Sequence, residues 1–366
     1  MNLKNHEIVF ITRENKVLPG ARYRAYNFSN CLGRMGYTSS VLSYPEDLGA
    51  LSGNLEEYLT LRDKLRYNRK SYQYLKQFKN PLLVIQRFNY HSFGPLLYAF
   101  KNKINYIYDI DDWEFREDIS SMLRFLPRSK AEFIFRITAK KSLFCLAGSD
   151  FLYNYLKNIT PCTFYLAPGI DTELFKMKQN YSNKEKITLA WVGTMFRYED
   201  FVNLQSILKI FKTNPALKLE IAGAGCWKSK LEEEVNKQRI RNIEFKGWIT
   251  PDAIPGYLEN VDIGIFPVAV ENKFTEAKFP VKILEFMAKG IPAIAARFGE
   301  AERIIENGKD GILASNEGDF LKAVLELSKN SSLRKKIGAR AREKIENNYE
   351  IEEQTRKLVS IFENAQ

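Results

Sequence analysis

The sequence has few of the residues on which common hydrolytic centres depend. It contains only two histidines, His6 and His91, among 366 residues. A Ser–His–Asp hydrolase would need His91, which precedes a Ser-Phe-Gly turn without the Gly-x-Ser-x-Gly signature of a nucleophile elbow. We therefore expect His91 to be structural, although a catalytic role stays open at this point.

Cysteines and long apolar runs are also scarce. No apolar run approaches the roughly 20 residues that span a bilayer, and no signal peptide is predicted at the N-terminus. The four cysteines are scattered without metal-ligand spacing, which predicts a cytosolic, reduced protein without a structural metal site. They are Cys31, Cys145, Cys162 and Cys226.

Charge is unevenly distributed along the chain. The net charge is +11, of which residues 1–180 carry +9 and residues 181–366 carry +2. A basic first half favours an anionic partner, either nucleic acid or an anionic membrane surface.

Basic residues between Arg62 and Lys76 alternate with apolar and aromatic ones that could contact lipid headgroups: Leu65, Tyr67, Tyr72 and Tyr74. A plain solvated helix face explains the same run. No nucleic-acid motif accompanies it, so we expect no nucleic-acid partner.

Short apolar runs alternate with helix-length amphipathic segments along most of the chain, a pattern typical of parallel sheets covered by helices. The helical patterns include Tyr23–Met35, Glu56–Phe78, Phe93–Lys103 and the tail Tyr349–Phe362. The predicted strands are Ile8–Thr12, Thr38–Leu42, Leu82–Gln86, Ile104–Asp109, Leu143–Ala147, Thr163–Leu166, Ile187–Val192, Leu217–Ala222, Ile243–Lys246, Ile263–Phe266, Ala293–Ala296 and Gly311–Ala314.

A polar stretch, Lys178–Lys186, interrupts this alternation and reads as a linker. We predict an N-terminal domain over residues 1–178, a linker at 179–186, a C-terminal domain over 187–345 and a last helix over 346–366. Two doubly wound Rossmann-like domains facing a central cleft would place ligands at the carboxyl ends of both sheets.

The segment from Phe279 to Ala296 carries the strongest local signal. Pro280 can open a helix at its first position, and Gly290 with Pro292 ends it. Lys282 and Glu285 lie three residues apart and share a face of that helix. A cation and a carboxylate near a helix N-terminus suit a ligand with phosphate at one end and hydroxyls at the other, such as a nucleotide sugar. A surface ion pair on an ordinary amphipathic helix is the alternative.

Gly-containing turns follow several predicted strands. Gly20 precedes Arg22 and Arg24, and Gly193 precedes Arg197. Gly223 and Gly225 form a further turn of this kind. Such loops let backbone amides approach phosphates, but none is a complete dinucleotide or P-loop fingerprint, and tight turns without a ligand look the same.

Three carboxylates, Asp109, Asp111 and Asp112, lie at the end of a predicted strand within Tyr108–Phe115. They could bind a metal, accept substrate hydroxyls or act as acid and base. Helix capping and loop hydrogen bonds are the alternative. We favour a functional role at the cleft edge and expect no dedicated metal cage, because no histidine or further acidic cluster is near.

With these residues laid out, the chain resembles the family 4 retaining glycosyltransferases of the GT-B fold (glycosyl transferases group 1) over nearly its whole length. The first half contributes YDIDDW at Tyr108–Trp113, AGSDFL at Ala147–Leu152 and APGIDTELF at Ala167–Phe175. The second half contributes WVGT at Trp191–Thr194, FKGWI at Phe245–Ile249, PVKILEFMAKGIP at Pro280–Pro292 and ENGKDGIL at Glu306–Leu313.

The resemblance implies an acceptor-binding first domain, a nucleotide-sugar-binding second domain and a last helix that crosses back to the first. It gives catalytic roles to Lys282, Arg197 and Asp111, with Lys282 and Arg197 on the diphosphate and Glu285 on the ribose. The base-binding loop is Gly247, Trp248 and Ile249. Further donor contacts are implied for Lys278, Gly193, Thr194, Val281 and Ile283. The acceptor or cleft loop holds Gly20, Arg22, Arg24, Asp109 and Asp112.

Several positions depart from the family pattern. Ala277 stands where the family often has a first glutamate, separated by seven residues from a second one that corresponds to Glu285. Thr194 and Asp200 stand where an arginine and a lysine are frequent after the Gly193 turn. In a subset with a PxK-type helix start, Lys282 would replace the lost positive charge. Asp111 takes the place of a histidine often found near the first-domain cleft.

The expected function is metal-independent, cofactor-free transfer of a sugar, with retention, from a nucleoside diphosphate sugar to a hydroxyl acceptor. The acceptor would be a glycan or lipid-linked glycan in cell-surface polysaccharide synthesis, at the cytoplasmic face of an anionic membrane. A sugar-nucleotide epimerase of the same fold is a second interpretation. A non-catalytic subunit that binds a nucleotide or a glycan is a third, which Ala277 keeps open.

Overall fold

The chain forms two compact units. The computed structural model describes residues 3–43, 60–113, 128–181 and 186–365, with side chains omitted at 128–131. One unit comprises Met1–Gly169, Ala277–Phe279 and Ile351–Gln366, and the other comprises Ile170–Glu276 and Pro280–Glu350. The chain thus divides after Gly169, nine residues before the boundary predicted at residue 178, and again at Ile351.

The first unit contains a six-stranded parallel sheet in the order β2-β1-β3-β4-β5-β6. Its strands are β1 Glu7–Thr12, β2 Ser39–Ser43, β3 Pro81–Gln86, β4 Tyr106–Ile110, β5 Cys145–Ala147 and β6 Thr163–Tyr165. Its helices include Pro19–Ala21, Asn27–Arg34, Leu61–Leu75, Phe93–Asn102, Arg128–Lys141, Asp150–Lys157 and Ile351–Asn364.

The second unit repeats this architecture with the order β12-β11-β10-β7-β8-β9, again parallel. Its strands are β7 Ile187–Thr194, β8 Leu217–Ala224, β9 Ile243–Gly247, β10 Ile263–Phe266, β11 Ala293–Ala296 and β12 Ile312–Ala314. Its helices include Tyr198–Gln205, Leu208–Thr213, Lys228–Lys237, Ile254–Tyr257, Lys273–Ala277, Val281–Ala288, Ala301–Ile304, Glu317–Lys329 and Ser331–Asn348.

All twelve predicted strands are confirmed, with each end within two residues of the prediction. The reason is that helices cover both faces of a parallel sheet, so its strands read as short continuous apolar runs. β3 is buried along its whole length, and Ile8, Leu82, Val84 and Ile107 lie in one core. In the second unit, a separate core contains Leu189, Ile221, Ile263 and Ile294.

The first predicted helix differs from the observed one. It begins earlier than expected, at Pro19, and passes through a π-helical turn at Arg22–Tyr26 before Asn27–Arg34. The second, predicted over Glu56–Phe78, is seen as Leu61–Leu75, while residues 56–59 lie outside the described part of the chain. Its N-terminus is fixed by a capping box between Thr60 and Asp63.

Part of the predicted linker is anchored to the second unit. The buried Lys178 amine donates to the carbonyl of Val261 and lies 3.8 Å from Asp262. The Tyr181 hydroxyl donates to the carbonyl of Gly290 at 2.9 Å. Residues 182–185 lie outside the described residues. The polar composition of this stretch predicted a linker. The sequence alone does not show that Lys178 is buried and donates to a backbone carbonyl.

Candidate functional site

Two glycines bring the carboxyl ends of β7 and β8 unusually close together in the second unit. Gly193 pairs with Gly223 in the parallel ladder. A Cβ atom on Gly223 would lie 1.9 Å from the Gly193 carbonyl oxygen, so any side chain there would displace backbone. The turn after β7 therefore has a narrow geometry that no other residue type at position 223 would permit.

Lys282 reaches this turn from the helix Val281–Ala288. A Cβ atom on Gly193 would lie 2.7 Å from the Lys282 Nζ atom and 3.0 Å from the Trp191 ring. The same Nζ atom lies 4.2 Å from the centroid of the Trp191 ring and 5.4 Å from that of Phe266. Aromatic faces attract a cation electrostatically, so the two rings fix the amine beside the Gly193 turn. This is the position in which a diphosphate contact was predicted.

The helix that carries Lys282 is held firmly against the sheet. Ile283, Phe286 and Met287 are at most 1% exposed, and Glu285 is buried as well. Val281 is half-buried. Because the Ile283 side chain is fully buried, its predicted donor contact would have to use backbone atoms. Pro280 is the N-cap of this helix rather than its first residue, within the ordinary uncertainty of helix ends.

Arg197 sits at the N-cap of the helix Tyr198–Gln205, and its guanidinium lies 5.4 Å from the Phe274 ring centroid. Asn203, on the same helix, accepts hydrogen bonds from the backbone amides of Ala269 and Val270 at 2.7 and 3.3 Å. The loop after β10 is thereby tied to the helix that follows β7. Sequence reasoning missed Asn203, because nothing in its local pattern marks a contact 66 residues away.

The predicted base-binding loop follows β9. Gly247 has a φ angle of +70°, a conformation that glycine adopts without strain. Trp248 is 38% exposed, and Ile249 is half-buried. An exposed indole face beside a flexible backbone position can stack against a nucleobase.

The two remaining predicted donor positions differ in setting. Thr194 ends β7 opposite Ala224 and is half-buried. Lys278 is half-buried and falls with Ala277–Phe279 in the first unit. Ala277, where a glutamate was sought, is 0% exposed.

In the first unit, the predicted carboxylate cluster forms at the adjacent ends of β1, β3 and β4. Gln86 receives a hydrogen bond from the Thr12 hydroxyl at 2.6 Å and donates to Asp111 at 2.9 Å and to the carbonyl of Gly20 at 3.1 Å. Arg87 donates two hydrogen bonds to the Asp111 carboxylate, at 2.6 and 2.8 Å. Both carboxylate oxygens of Asp111 therefore accept hydrogen bonds from neighbouring side chains.

Arg87 and Gln86 were missed by sequence reasoning. Arg87 adopts a φ angle of +58°, in the left-handed region that few non-glycine residues occupy. It also lies 3.6 Å from Glu14, which pairs with Arg13 at 2.7 Å. Burial raises the pKa of Glu14, but Arg13 and Arg87 outweigh that effect and hold it below the usual range. The available signal was the polar pair Gln-Arg directly after an apolar strand run.

Asp109 and Arg24 are joined inside the first unit. Asp109 is 1% exposed and Arg24 4%, and Arg24 Nε donates to Asp109 Oδ2 at 3.0 Å. A second nitrogen of Arg24 donates to the other carboxylate oxygen and a third to the carbonyl of Leu166. This burial favours a structural role, joining the π-helical turn to β4, over the predicted contact with an acceptor.

The other predicted acceptor positions make local contacts. Arg22 donates to the carbonyl of Val17 at 3.0 Å, and its guanidinium lies 4.9 Å from the Tyr23 ring centroid. Asp112 accepts from the amide of Trp113 at 2.8 Å, the loop-capping role that was the alternative. Gly20 lies against Glu14 and Arg87, where a Cβ atom would approach both to within 3 Å.

His91 is fully buried, and its Nε2 atom lies 2.9 Å from the carbonyl of Gln86. Burial, with the nearby charges of Arg13 and Arg87, lowers the pKa of His91 to about 3. The ring is therefore neutral at physiological pH. The structural role expected from the sequence fits these contacts.

Two further findings concern only the part of the chain that the structure describes. There, no helix is both long and apolar enough to cross a membrane. Likewise, no three His, Cys, Asp or Glu side chains within these ranges are grouped so that they could hold a metal ion. Independence from metals remains a prediction.

Residues 173–344 match the family model described as glycosyl transferases group 1. The chain contains a group 1 glycosyltransferase domain. The matched segment lies in the second unit and includes the Gly193 turn, Lys282 and the Trp248 loop. The predicted family resemblance is thus confirmed at the level of group 1, whereas the family 4 subclass stays a prediction.

Curated relatives are distant. The chain is 24% identical over 206 residues to a chitobiosyldiphosphodolichol beta-mannosyltransferase of Candida albicans, covering 52% of this chain and 44% of that one. It is 25% identical to the putative colanic acid biosynthesis glycosyltransferase WcaL of Salmonella typhimurium, covering 40% and 37%. The chain therefore spans less than half the length of either relative.

Solved structures of similar fold cover nearly the whole chain. Sucrose-phosphate synthase from Thermosynechococcus elongatus aligns with a TM-score of 0.77 at 13% identity, over 98% of both chains. Anabaena HepE, solved with UDP and glucose, aligns with a TM-score of 0.71 at 12% identity, over 98% of this chain and 99% of its own. At these identities the likeness shows the fold alone, and it confirms the predicted GT-B class with two Rossmann-like units.

Proposed function

We propose that this protein is a retaining glycosyltransferase that transfers a sugar from a nucleoside diphosphate sugar to a hydroxyl group of a glycan or lipid-linked glycan. The observation that carries the proposal is the Lys282 amine, held by Trp191 and Phe266 beside the Gly193 turn within the group 1 domain. The names of the Candida and Salmonella relatives support an acceptor of the lipid-linked or polysaccharide class.

The chemistry follows from where charge develops. The bond between the sugar C1 atom and the diphosphate oxygen breaks, and a bond from C1 to the acceptor oxygen forms. The acceptor proton passes to the departing diphosphate. The sugar becomes positive and the diphosphate gains negative charge, so preorganised cations beside the diphosphate lower the barrier. Lys282 and Arg197 would supply these cations, and Glu285 would bind the ribose.

Asp111 acts in this proposal as a positioning residue. Its carboxylate is already engaged by Arg87 and Gln86, so it does not serve as a mobile base. It would instead hold the Arg87 guanidinium in one orientation towards the acceptor side. Metal ions are not required by this scheme, because the two basic side chains neutralise the leaving group.

The test begins with donor binding. Purified protein is titrated calorimetrically with UDP, GDP and ADP and their sugar conjugates, and the best donor is then incubated with lipid-linked and soluble glycans. We expect one nucleotide to bind, sugar transfer to follow only when acceptor is present, and the product to keep the donor's anomeric configuration by NMR. Isomer formation from the donor alone would identify an epimerase instead.

One observation favours a second candidate, a non-catalytic subunit that binds a nucleotide sugar. Ala277 is fully buried where the family often has a glutamate that contacts the transferred sugar. Tight nucleotide binding without transfer to any acceptor, and with no hydrolysis of the donor, would favour this candidate over the enzyme.

A further inference from the structure

Two neighbouring helices of the first unit expose large apolar side chains. On the helix Leu61–Leu75, Leu61 is 62% and Leu65 61% exposed. On the helix Phe93–Asn102, Leu97 is 60% and Phe100 48% exposed. Single exposed apolar residues are ordinary, but several gathered on packed neighbours indicate an interaction surface.

The two helices pack directly against each other. The amide of Gly94 donates to the Asn68 side chain at 2.6 Å, and a Cβ atom on Gly94 would lie 2.3 Å from the Asn68 carbonyl. Farther along the seam, Tyr72 and Tyr98 meet edge to face at 5.5 Å. Leu65 lies one helical turn before Asn68, and Leu97 lies one turn after Gly94. Both leucines therefore flank the solvent side of this seam.

Basic side chains surround the apolar ones. Arg62, Arg66 and Arg69 are exposed along the first helix, and Lys101 is exposed on the second. The Lys141 amine, on the helix Arg128–Lys141, lies 5.5 Å from the centroid of the Phe100 ring. We call Leu61, Leu65, Leu97 and Phe100, with Arg62, Arg66, Arg69, Lys101 and Lys141, the two-helix face.

The structure corrects the sequence interpretation of this segment. Tyr67 is 1% and Lys64 2% exposed, so neither can reach a lipid headgroup. Buried Tyr67 and Leu75 attach the helix to the unit, while Leu61 and Leu65, with the arginines, point outward. Of the residues in the predicted alternating pattern, Leu65 and Tyr74 are exposed, at 61% and 39%, whereas Tyr67 is buried.

We propose that the two-helix face binds the surface of an anionic phospholipid bilayer. Leucine and phenylalanine tips would enter the headgroup boundary, and arginine and lysine side chains would pair with lipid phosphates. Charge complementarity supports this partner, because residues 1–180 carry +9 whereas residues 181–366 carry only +2. The inference deepens the proposed function, since a lipid-linked acceptor lies in such a bilayer. The inference rests on the proposed function for its biological purpose, but membrane binding can be tested without measuring sugar transfer.

The experiment is flotation of the full chain with vesicles, in the absence of sugar nucleotide. The vesicles contain phosphatidylcholine alone or phosphatidylcholine mixed with phosphatidylglycerol. We expect binding only to the mixed vesicles and release at high salt, because screening weakens exposed charge pairs. The triple variant Arg62→Gln, Arg66→Gln, Arg69→Gln should lower the partition coefficient roughly a hundredfold, since each basic residue near a membrane contributes about fivefold.

The apolar half is tested separately with Leu65→Gln and Leu97→Gln, which should each weaken binding without removing its salt dependence. Matched controls in the second unit are the exposed Leu174→Gln and Arg340→Gln, which should float like wild type. Circular dichroism and nucleotide affinity verify that each variant is folded.

Absence of flotation, equal binding to both vesicle types, or wild-type binding by the triple variant would overturn the proposal. So would self-association in solution that Leu65→Gln and Leu97→Gln abolish, because the face would then belong to a second copy. Flotation that fails while sugar transfer to a soluble acceptor persists rejects the membrane proposal alone. Flotation without any transfer leaves the membrane proposal standing and rejects the enzymatic one.

Discussion

The candidate groups at the carboxyl ends of the two sheets are held in different ways. In the first unit, Asp109 is paired with Arg24 and Asp111 with Arg87, each through two hydrogen bonds. In the second unit, Lys282 lies over the Trp191 ring. A carboxylate and an aromatic ring hold a cation in different ways: the carboxylate accepts paired hydrogen bonds, and the ring attracts the cation through its face.

This difference separates two kinds of consequence. The first unit uses its charges mainly to join strands, loop and π-helical turn, so changes there should lower stability. The second unit holds the Lys282 amine beside Gly193, so changes there should lower the rate. The variants below test that division, beginning with the largest expected effect.

Asp109→Asn should destabilise the first unit by about 3–5 kcal/mol, because it leaves the Arg24 guanidinium buried beside a neutral partner. Unfolding of a two-unit chain is not a single transition, so hydrogen exchange of the β4 amides is the suitable measurement. Asp111→Asn is the matched control. Its pair with Arg87 is more accessible, at 9% and 19% side-chain exposure, and we expect a smaller loss. Equal losses for the two variants would contradict the structural role given to Arg24 and Asp109.

Lys282→Ala should lower kcat about a hundred- to a thousandfold, the loss of about 2.7–4 kcal/mol that follows removal of one preorganised contact to developing charge. The fold should remain intact, because the amine end is not part of the apolar core. Steady-state kinetics at saturating donor and acceptor give the value, and a thermal melt checks the fold. Lys336→Ala, an exposed lysine on the helix Ser331–Asn348, serves as the control. Near-normal turnover of Lys282→Ala would remove Lys282 from the mechanism.

The fold was predictable from the sequence because a parallel sheet buries both faces of each strand. Runs such as Leu82–Gln86 and Ile263–Phe266 are short, apolar and bounded by turn residues, so their positions could be read directly. The π-helical turn at Arg22–Tyr26 could not be predicted in this way. It depends on a tertiary contact, the reach of Arg24 to Asp109 across 85 residues of sequence.

The candidate site was predictable only in part, for a related reason. Lys282 and Gly193 stand next to a helix start and a strand end, which are local signals. The partners that fix them are not local: Trp191 points back towards Lys282 from β7, and Phe266 belongs to β10. Arg87 was overlooked because its contact with Asp111 requires β3 and β4 to be neighbours in the sheet. The local sequence of either strand does not predict the strand order.

Gly193→Ala tests whether the position of the Lys282 amine matters as well as its presence. A new methyl group would approach the Lys282 Nζ atom to 2.7 Å and the Trp191 ring to 3.0 Å, so the amine must move. A displacement of about 1 Å at a reacting centre can reduce the rate by up to about a hundredfold, and we expect a loss of about ten- to a hundredfold in kcat. Gly256→Ala is the matched control, because a Cβ atom there meets nothing within 4 Å. A wild-type rate in Gly193→Ala would show that the amine tolerates displacement.

The smallest expected effect concerns pH and the first unit. Burial first, and then the charges of Arg13 and Arg87, lower the pKa of His91 to about 3 from an ordinary value of 6.5. Between these two values the unfolded chain binds a proton that the folded chain excludes, so the free energy of unfolding falls as the pH falls. The slope from this residue is about 1.4 kcal/mol per pH unit.

His91→Gln should lose this component of the slope while keeping a side-chain amide that can donate to the carbonyl of Gln86. Hydrogen exchange of the β3 amides in increasing urea, at pH 7 and pH 5.5, gives the free energy of unfolding of the variant and of the wild type. If the variant and the wild type lose the same stability over that interval, burial and the nearby arginines do not keep His91 unprotonated in the folded chain.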